Sequence, residues 1–173
     1  MFLYRPQRRE PAALRLLGDA IDLTVAALAG ALLVVMVANV AARAALNTDI
    51  AWNTEFGEFV LVWATFLGGA TAARRGGHLR ITEFIEAMPA RLRWTVEMAT
   101  RLAVVAILGF LVWNGSHLAA GTMEQRMTVL GWPVGVQYLA MPVGSGLALI
   151  FVLYEALLVA RGVDLASEPV LVD

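Results

Sequence analysis

The sequence predicts an all-α membrane protein with four transmembrane helices and short interfacial amphipathic helices, and three observations support this fold class. Of the 173 residues, 60% are hydrophobic and only 16% are charged, with a mean hydropathy of +0.71. Soluble domains contain about 45–50% apolar and about 25% charged residues. Four charge-poor runs are long enough to cross a bilayer, and the arginines are distributed unevenly between the links that join them. We therefore expect one integral-membrane domain over residues 1–173.

Four runs with few or no charged residues predict the membrane spans. A bilayer core of about 30 Å requires roughly 20 apolar residues in a helix. Three runs contain no charge: Leu23–Ala42 with 20 residues, Leu102–Met123 with 22 and Met127–Tyr154 with 28. The remaining run, Phe59–Ala73, has only 15 such residues, so its helix must begin nearer Ala51 and include Glu55 and Glu58. The predicted spans are 21–45, 51–73, 95–122 and 133–158.

Two shorter segments predict helices that lie along the membrane surface. After Pro11, the apolar residues Leu14, Leu17 and Ile21 recur at helical spacing, which indicates an interfacial helix over 11–19. The same pattern with a charged opposite face indicates a second one over 80–88. A cleaved signal peptide is the alternative for the first apolar run, because four arginines precede it. Its 20 residues exceed the roughly 7–15 of a secretory signal, so we expect an uncleaved anchor.

The distribution of arginine predicts the orientation. The segment before the first span holds 4 arginines, the link between the second and third spans holds 6, and the tail holds Arg161. The two links on the other side hold only Arg43 and Arg126. Because basic residues concentrate on the cytoplasmic side, this ratio of 11 to 2 places both termini in the cytoplasm.

Two acidic residues near the start of the second span are the first candidates for a functional site. Glu55 and Glu58 are about one helical turn apart, and a carboxylate within a membrane helix is costly unless it is paired or hydrated. They could be structural, held near the head groups by Trp52 and Arg43. They could instead bind a partner protein or take part in ion translocation, although one acid pair in four helices gives a pump little support.

A histidine in the third span is a second candidate. His117 shares a helix face with Asn114 and Gly121, and it could meet Glu58 or hold a cofactor. A haem needs two axial ligands at compatible depth, and the only other histidine, His78, is in the predicted cytoplasmic link. We therefore interpret His117 as a hydrogen-bonded packing residue.

Small residues and a proline predict how the spans pack. Ala64, Gly68 and Ala72 form a stripe at which another helix can approach closely, either within this chain or from another subunit. Pro142, followed by Gly144, removes a backbone hydrogen bond from the fourth span and predicts a kink near the bilayer centre.

Composition excludes several classes of function. The chain has no cysteine, which excludes disulfides, thiolate nucleophiles and cysteine-ligated metals. A net charge of -1 gives no support for nucleic-acid binding. We find no nucleotide-binding loop, nucleophile with a base, or metal-ligand cluster in the sequence. We therefore predict a membrane subunit without a catalytic site, cofactor or bound metal.

Several motifs, in order along the chain, resemble the small membrane (Q-type) subunit of tripartite ATP-independent periplasmic (TRAP) transporters. In that family a tryptophan and a glutamate open the second span, a Phe-Leu-Gly stretch follows, and a Gly-His pair lies beyond its end. The residues that carry the resemblance are Trp52–Phe59, Trp63, Phe66–Ala70, Arg74–Leu79, Gln125–Pro133, Tyr138 and Pro142–Gly144.

The resemblance implies a subunit of a three-part importer in the bacterial inner membrane. In such systems a soluble periplasmic protein captures an organic anion, and a large membrane subunit moves it by using a sodium gradient. The small subunit is thought to act as a scaffold for the large one. By their position, Glu55, Glu58 and the Glu124–Arg126 turn face the side where the binding protein would dock transiently. Arg74, Arg75 and His78 face inward, where membrane lipids or the large subunit are the expected partners.

Two readings from other classes stay open at this point. The chain could be the membrane anchor of a redox enzyme, with haem or quinone contacts through His117 and Trp113. It could also be a self-contained small transporter that works as a homodimer and is driven by Glu58.

Overall fold

The computed structural model describes residues 11–74 and 90–160, and their regular structure is helical. We number the helices α1 (Ala12–Leu46), α2 (Asn53–Arg74), α3 (Ala90–Gly121), α4 (Val134–Tyr138) and α5 (Ala140–Ala160). Four stretches are long and apolar enough to cross a membrane, and α4 and α5 together supply the last of them. This confirms the predicted fold class. The cytoplasmic position of the termini stays a prediction, and Arg75, His78 and the predicted helix 80–88 lie outside the described residues.

Helix α1 runs without interruption through two segments that the sequence analysis separated. The predicted interfacial helix 11–19 and the predicted span 21–45 form one helix of 35 residues. No proline follows Pro11 in this stretch, so nothing breaks the backbone hydrogen bonds. At 1.5 Å per residue the helix is about 52 Å long and exceeds the bilayer core of about 30 Å. One end must therefore extend beyond the apolar layer, and an interfacial position for its first turns stays a prediction.

The helices are arranged in a row rather than a closed bundle. The main contacts join α1 to α2, α2 to α5, and α5 to α3, while α4 packs beside α3. Ile21, Leu67 and Phe151 form a small buried cluster that connects the first three helices of this row. Large parts of α1 and α3 consequently lack cover from the other described helices.

Glycines allow the close contacts of α5 with its two neighbours. A Cβ atom on Gly144 would lie 2.6 Å from the Cβ of Phe66 and 2.7 Å from its carbonyl oxygen, so α5 touches the backbone of α2 there. A Cβ atom on Gly115 of α3 would lie 2.8 Å from Cδ of Pro142. Small residues thus bring α2, α5 and α3 together, as is common where membrane helices pack.

The interruption of the fourth span lies at Leu139, between α4 and α5. Pro142 has no N–H group to donate to the carbonyl of Tyr138, which lies four residues before it and next to Leu139. Regular bonds flank the gap, from the Leu139 nitrogen to the Gly135 oxygen (2.9 Å) and from the Val143 nitrogen to the Leu139 oxygen (3.1 Å). Leu139 is about 8 Å along the helix axis from Val134. The break therefore lies nearer the start of this helical stretch than its middle, and its depth in a bilayer stays a prediction.

Candidate functional site at the acidic end of the helices

The link between α1 and α2 and the link between α3 and α4 lie at the same end of the row, which we call the acidic end. The first link folds back onto α1. The side-chain oxygen of Asn39 accepts a hydrogen bond from the Ile50 nitrogen (2.9 Å), and Asn39 is buried. The Arg43 guanidinium pairs with Asp49 at 2.8 Å. Arg43 therefore forms its ion pair with the link between α1 and α2. The expectation that it neutralises Glu55 or Glu58 is wrong.

The second link, residues 122–133, forms a tight hairpin-like loop. Arg126 and Pro133 form an antiparallel bridge, and the Met127 nitrogen donates to the Trp132 oxygen at 2.8 Å. Gly131 has a φ of +66°, a conformation that glycine adopts without steric cost. The turn leaves the backbone N–H groups of Val129 and Leu130 pointing towards α2.

The carboxylate of Glu55 binds this turn. Both of its oxygens lie 3.0 Å from the Val129 nitrogen, and one lies 2.8 Å from the Leu130 nitrogen. Hydrogen bonds from neutral donors to an ionised carboxylate are stronger than those between neutral groups. Glu55 thus connects the start of α2 to a loop more than 70 residues later in the chain. The structure supports the structural-pairing interpretation for Glu55, with backbone groups as the partners.

Aromatic rings surround this connection. Trp52 contacts Phe56 edge to face with ring centroids 5.6 Å apart, and Phe59 contacts Trp132 in the same way at 5.3 Å. Trp52 is 39% exposed and Trp132 is 42% exposed. Partly exposed tryptophans are typical of the membrane–water interface. Trp52 therefore has the environment of an interfacial anchor.

Glu58 has a different environment from Glu55. Its side chain is exposed, and within the described part of the chain it makes no hydrogen bond or ion pair. His117 does not approach it. His117 is exposed on α3, where its ring contacts Trp113 edge to face with centroids 4.9 Å apart. The interpretation of His117 as a hydrogen-bonded packing residue is therefore wrong, because the ring lies on the surface of the row.

The small-residue stripe on α2 is only partly covered by the described chain. A Cβ atom on Gly68 would have no neighbouring atom within 4 Å, and the same holds for Gly69. Ala72 is exposed and Ala64 is only half-buried. Of the two alternatives for this stripe, internal packing is not seen around Gly68.

Arg74, at the opposite end of α2, lies in an intramolecular ion pair. Its guanidinium is 3.2 Å from Asp19 and 3.8 Å from Asp22, and its side chain is only 13% exposed. It lies against Gly18, where any larger side chain would collide with the guanidinium group. Contact of Arg74 with lipid head groups or another subunit's loops is therefore not what the structure shows. Arg75 and His78, the other members of this predicted cluster, are outside the described residues.

Sequence reasoning missed several polar residues that hold the ends together. Asn39 and Asn53 are buried polar side chains in apolar helices, and the Asn53 amide nitrogen lies 3.8 Å from the sulfur of Met36. Asp19 and Asp22 are acids just before a long apolar run. Polar residues in apolar helices require hydrogen-bond or ion-pair partners. Their presence in the sequence could therefore have marked them as residues that hold the helix ends together.

Among the described residues, no group of three or more histidine, aspartate or glutamate side chains could hold a metal ion. The acidic end instead combines a loop fixed by Glu55, pairs of contacting aromatic side chains, and an exposed carboxylate at Glu58. These are features of a surface that contacts other molecules.

Comparison with known proteins shows which family the chain is similar to. The family model described as "Tripartite ATP-independent periplasmic transporters, DctQ component" matches residues 32–162. The ectoine TRAP transporter small permease protein TeaB of Halomonas elongata is 28% identical over 138 residues, which are 78% of this chain and 72% of that protein. The sialic acid TRAP transporter small permease protein SiaQ of Vibrio cholerae is 23% identical over 131 residues, 76% of each chain.

Members of this family are multi-pass proteins of the bacterial inner membrane that work with a large membrane subunit and a substrate-binding protein. They are transporter subunits and not enzymes. The family match covers most of the chain, includes the acidic end, and confirms the resemblance seen in the sequence. This chain belongs to the family of DctQ components, the small permease subunits of TRAP transporters.

Proposed function

We propose that this chain is the scaffold for the large transport subunit of a three-part importer. In this proposal, uptake of an organic anion is driven by a sodium gradient and depends on a periplasmic binding protein. The observation that carries the proposal is the open row of helices. It leaves most of α1 and α3 uncovered by the rest of residues 11–74 and 90–160, and such apolar faces in a membrane are available to another subunit.

The distribution of polar groups supports a scaffold. Asn39, Arg43, Glu55 and Arg74 are all used to fix links and helix ends. Such groups hold a shape rather than carry a substrate. The relatives are named for two different compounds, ectoine and sialic acid, which supports substrate selection by the other subunits. A compound with a carboxylate is the proposed substrate class here.

Reconstitution tests the proposal directly. The full chain, the large subunit and the binding protein from the same organism are placed in proteoliposomes, and uptake of radiolabelled organic acids is followed, with sialic acid and ectoine included. We expect uptake only when all three proteins are present, and we expect it to fall to background when external sodium is replaced by potassium.

Two results would contradict this function. Uptake by this chain alone would make it a self-contained transporter. Unchanged uptake when this chain is omitted would show that the large subunit needs no scaffold.

A further inference from the structure

Glu58 is an unsatisfied charge within a membrane-spanning helix. It lies about 8 Å along α2 from Asn53, where the span begins. Its side chain is exposed, and it pairs with nothing in the described ranges. A charged side chain at this depth is expensive in lipid and normally faces a partner or a water-filled cavity. Glu58 therefore requires a partner from outside the described residues.

The cations at this end of the chain are already engaged. Among the described residues, the basic side chains at this end are Arg43, in the last turn of α1, and Arg126, in the second link. Arg43 pairs with Asp49 at 2.8 Å, and Arg126 donates to the Gly131 oxygen at 3.3 Å. Glu55, one turn before Glu58, is satisfied by the backbone of the loop. The described residues thus supply hydrogen-bond donors to Glu55 and leave Glu58 exposed without a partner.

Glu58 belongs to a continuous exposed stripe along α2. Successive members of the stripe are three or four residues apart, which keeps them on one side of a helix. The exposed members are Thr54, Glu58, Leu61, Thr65, Gly69 and Ala72. The other sides of α2 are covered, since Gly57 lies against Met36 of α1 and Phe66 lies against Gly144 of α5.

The dimensions and chemistry of this stripe define its occupant. From Thr54 to Ala72 it extends about 27 Å, close to the thickness of the bilayer core. A soluble protein outside the membrane could contact only the first turn of this stripe, because the rest of the stripe lies within the span. Gly68 and Gly69 have open space in front of them, so a second helix can approach the backbone closely. The occupant is therefore a membrane-spanning helix, and opposite charge requires it to carry a cation near Glu58.

A second copy of this chain fits poorly. Two copies with the same orientation place their Glu58 side chains at the same depth, and a symmetric contact brings identical surfaces together. The stripe contains no basic residue to offset the repulsion between the two carboxylates. A different membrane protein is the better occupant.

We propose that this stripe of α2 is the docking surface for a membrane-spanning helix of the large transport subunit, which presents an arginine or lysine to Glu58. The inference rests on the function proposed above and specifies the surface through which the scaffold binds.

Affinity measurements test the charge pair. The purified full chain is titrated against the purified large subunit from the same organism in mild detergent. Glu58→Arg should weaken binding by about thirtyfold or more, the effect of losing one member of a desolvated charge pair. Glu124→Arg is the matched control, because Glu124 is exposed in the loop outside the span, and we expect a change within about twofold.

Fold and surface are tested separately. Since Glu58 has no partner within the described residues, Glu58→Gln should leave thermal unfolding of the isolated chain unchanged while still weakening binding. Gly69→Leu should also weaken binding, because Gly69 is exposed on the stripe and has no atom within 4 Å of its Cβ position. Wild-type affinity of both Glu58→Arg and Gly69→Leu would overturn the proposal.

Crosslinking identifies the occupant. A photoreactive amino acid at Leu61, which is 57% exposed on the stripe, should attach to a large-subunit helix that carries an arginine or lysine within about one turn of the attachment point. Attachment from position 61 only to phospholipid, or only to a second copy of this chain, would overturn the proposal.

The two proposals can fail separately. If the wild-type chain does not bind the large subunit, both the scaffold function and the docking surface are wrong. If it binds and supports uptake, but the Glu58 and Gly69 variants bind equally well, only the docking surface is wrong.

Discussion

Glu55 and Glu58 are the same residue type one helical turn apart, yet the fold places them in different environments. Glu55 accepts hydrogen bonds from the Val129 and Leu130 nitrogens. Glu58 faces away from the chain. The difference of three residues rotates the second carboxylate by about 60° around the helix axis, which is enough to move it from the loop to the exposed side. One acid therefore fixes the shape of the subunit, and the other is available for recognition.

The role of Glu55 predicts a local effect on the loop. Glu55→Ala leaves the N–H groups of Val129 and Leu130 without their acceptor, at a cost of about 1–3 kcal/mol. We expect the loop to open more often and trypsin to cleave after the exposed Arg126 about fivefold faster or more. The measurement is the rate of limited proteolysis of the full chain in detergent.

Glu58→Ala is the matched control for this experiment, and its cleavage rate should equal that of the wild type. Glu55→Gln should fall between the two, since an amide oxygen still accepts a hydrogen bond but carries no charge. Equal cleavage rates in the Glu55→Ala variant and the wild type would show that the loop does not depend on this carboxylate.

At the scale of the helix, hydropathy predicted where the elements occur, and individual contacts decided where they begin and pack. The four spans follow from charge-free runs because a bilayer imposes a length on any apolar helix. The continuity of α1 was missed because nothing in the pattern distinguishes an interfacial turn from the first turns of a long span. The break lies at Leu139 rather than at Pro142 itself, because a proline affects the carbonyl group of the preceding turn.

Side-chain partners were less predictable than helices. Arginine and acidic residues could be assigned to an end of the molecule, but Arg74 reaches Asp19 only because Gly18 leaves room for its guanidinium group. Pairing of this kind depends on the rotation of α1 relative to α2. Composition and spacing do not contain that angle. The same is true of Glu55, whose partners are backbone groups that exist only once the loop has folded.

The contact between α2 and α5 gives a prediction at the scale of the element. Gly144→Ala places a Cβ atom 2.6 Å from the Cβ of Phe66, so the two helices must separate or shift. Overpacking of this kind costs about 1–3 kcal/mol. We expect a lower temperature of thermal unfolding in detergent.

Gly146 provides the comparison two residues later on the same helix. A Cβ atom there would lie 3.9 Å from Cγ2 of Val112, an ordinary contact. Because alanine favours a helix over glycine by about 1 kcal/mol, Gly146→Ala should unfold at the wild-type temperature or above it. If Gly144→Ala behaves like Gly146→Ala, α2 and α5 are not in contact at this point.

For the whole molecule, the row of helices and the asymmetry of charge together define two different ends. The acidic end has a loop held by Glu55 and a set of aromatic side chains, while the other end has the Arg74 ion pair. A scaffold that serves a periplasmic binding protein must present the acidic end outwards. The arginine distribution predicts the same orientation, with 11 arginines on the cytoplasmic side and 2 outside.

The absence of cysteine from the sequence makes this orientation directly measurable. A single cysteine introduced at Thr48, which is exposed in the link between α1 and α2, should react with a membrane-impermeant maleimide in intact spheroplasts. A cysteine at Ala12, exposed at the start of α1, should react only after the membrane is permeabilised. The unmodified chain gives no background. The reverse labelling pattern would place the acidic end in the cytoplasm, and contact between that end and a periplasmic protein would then be impossible.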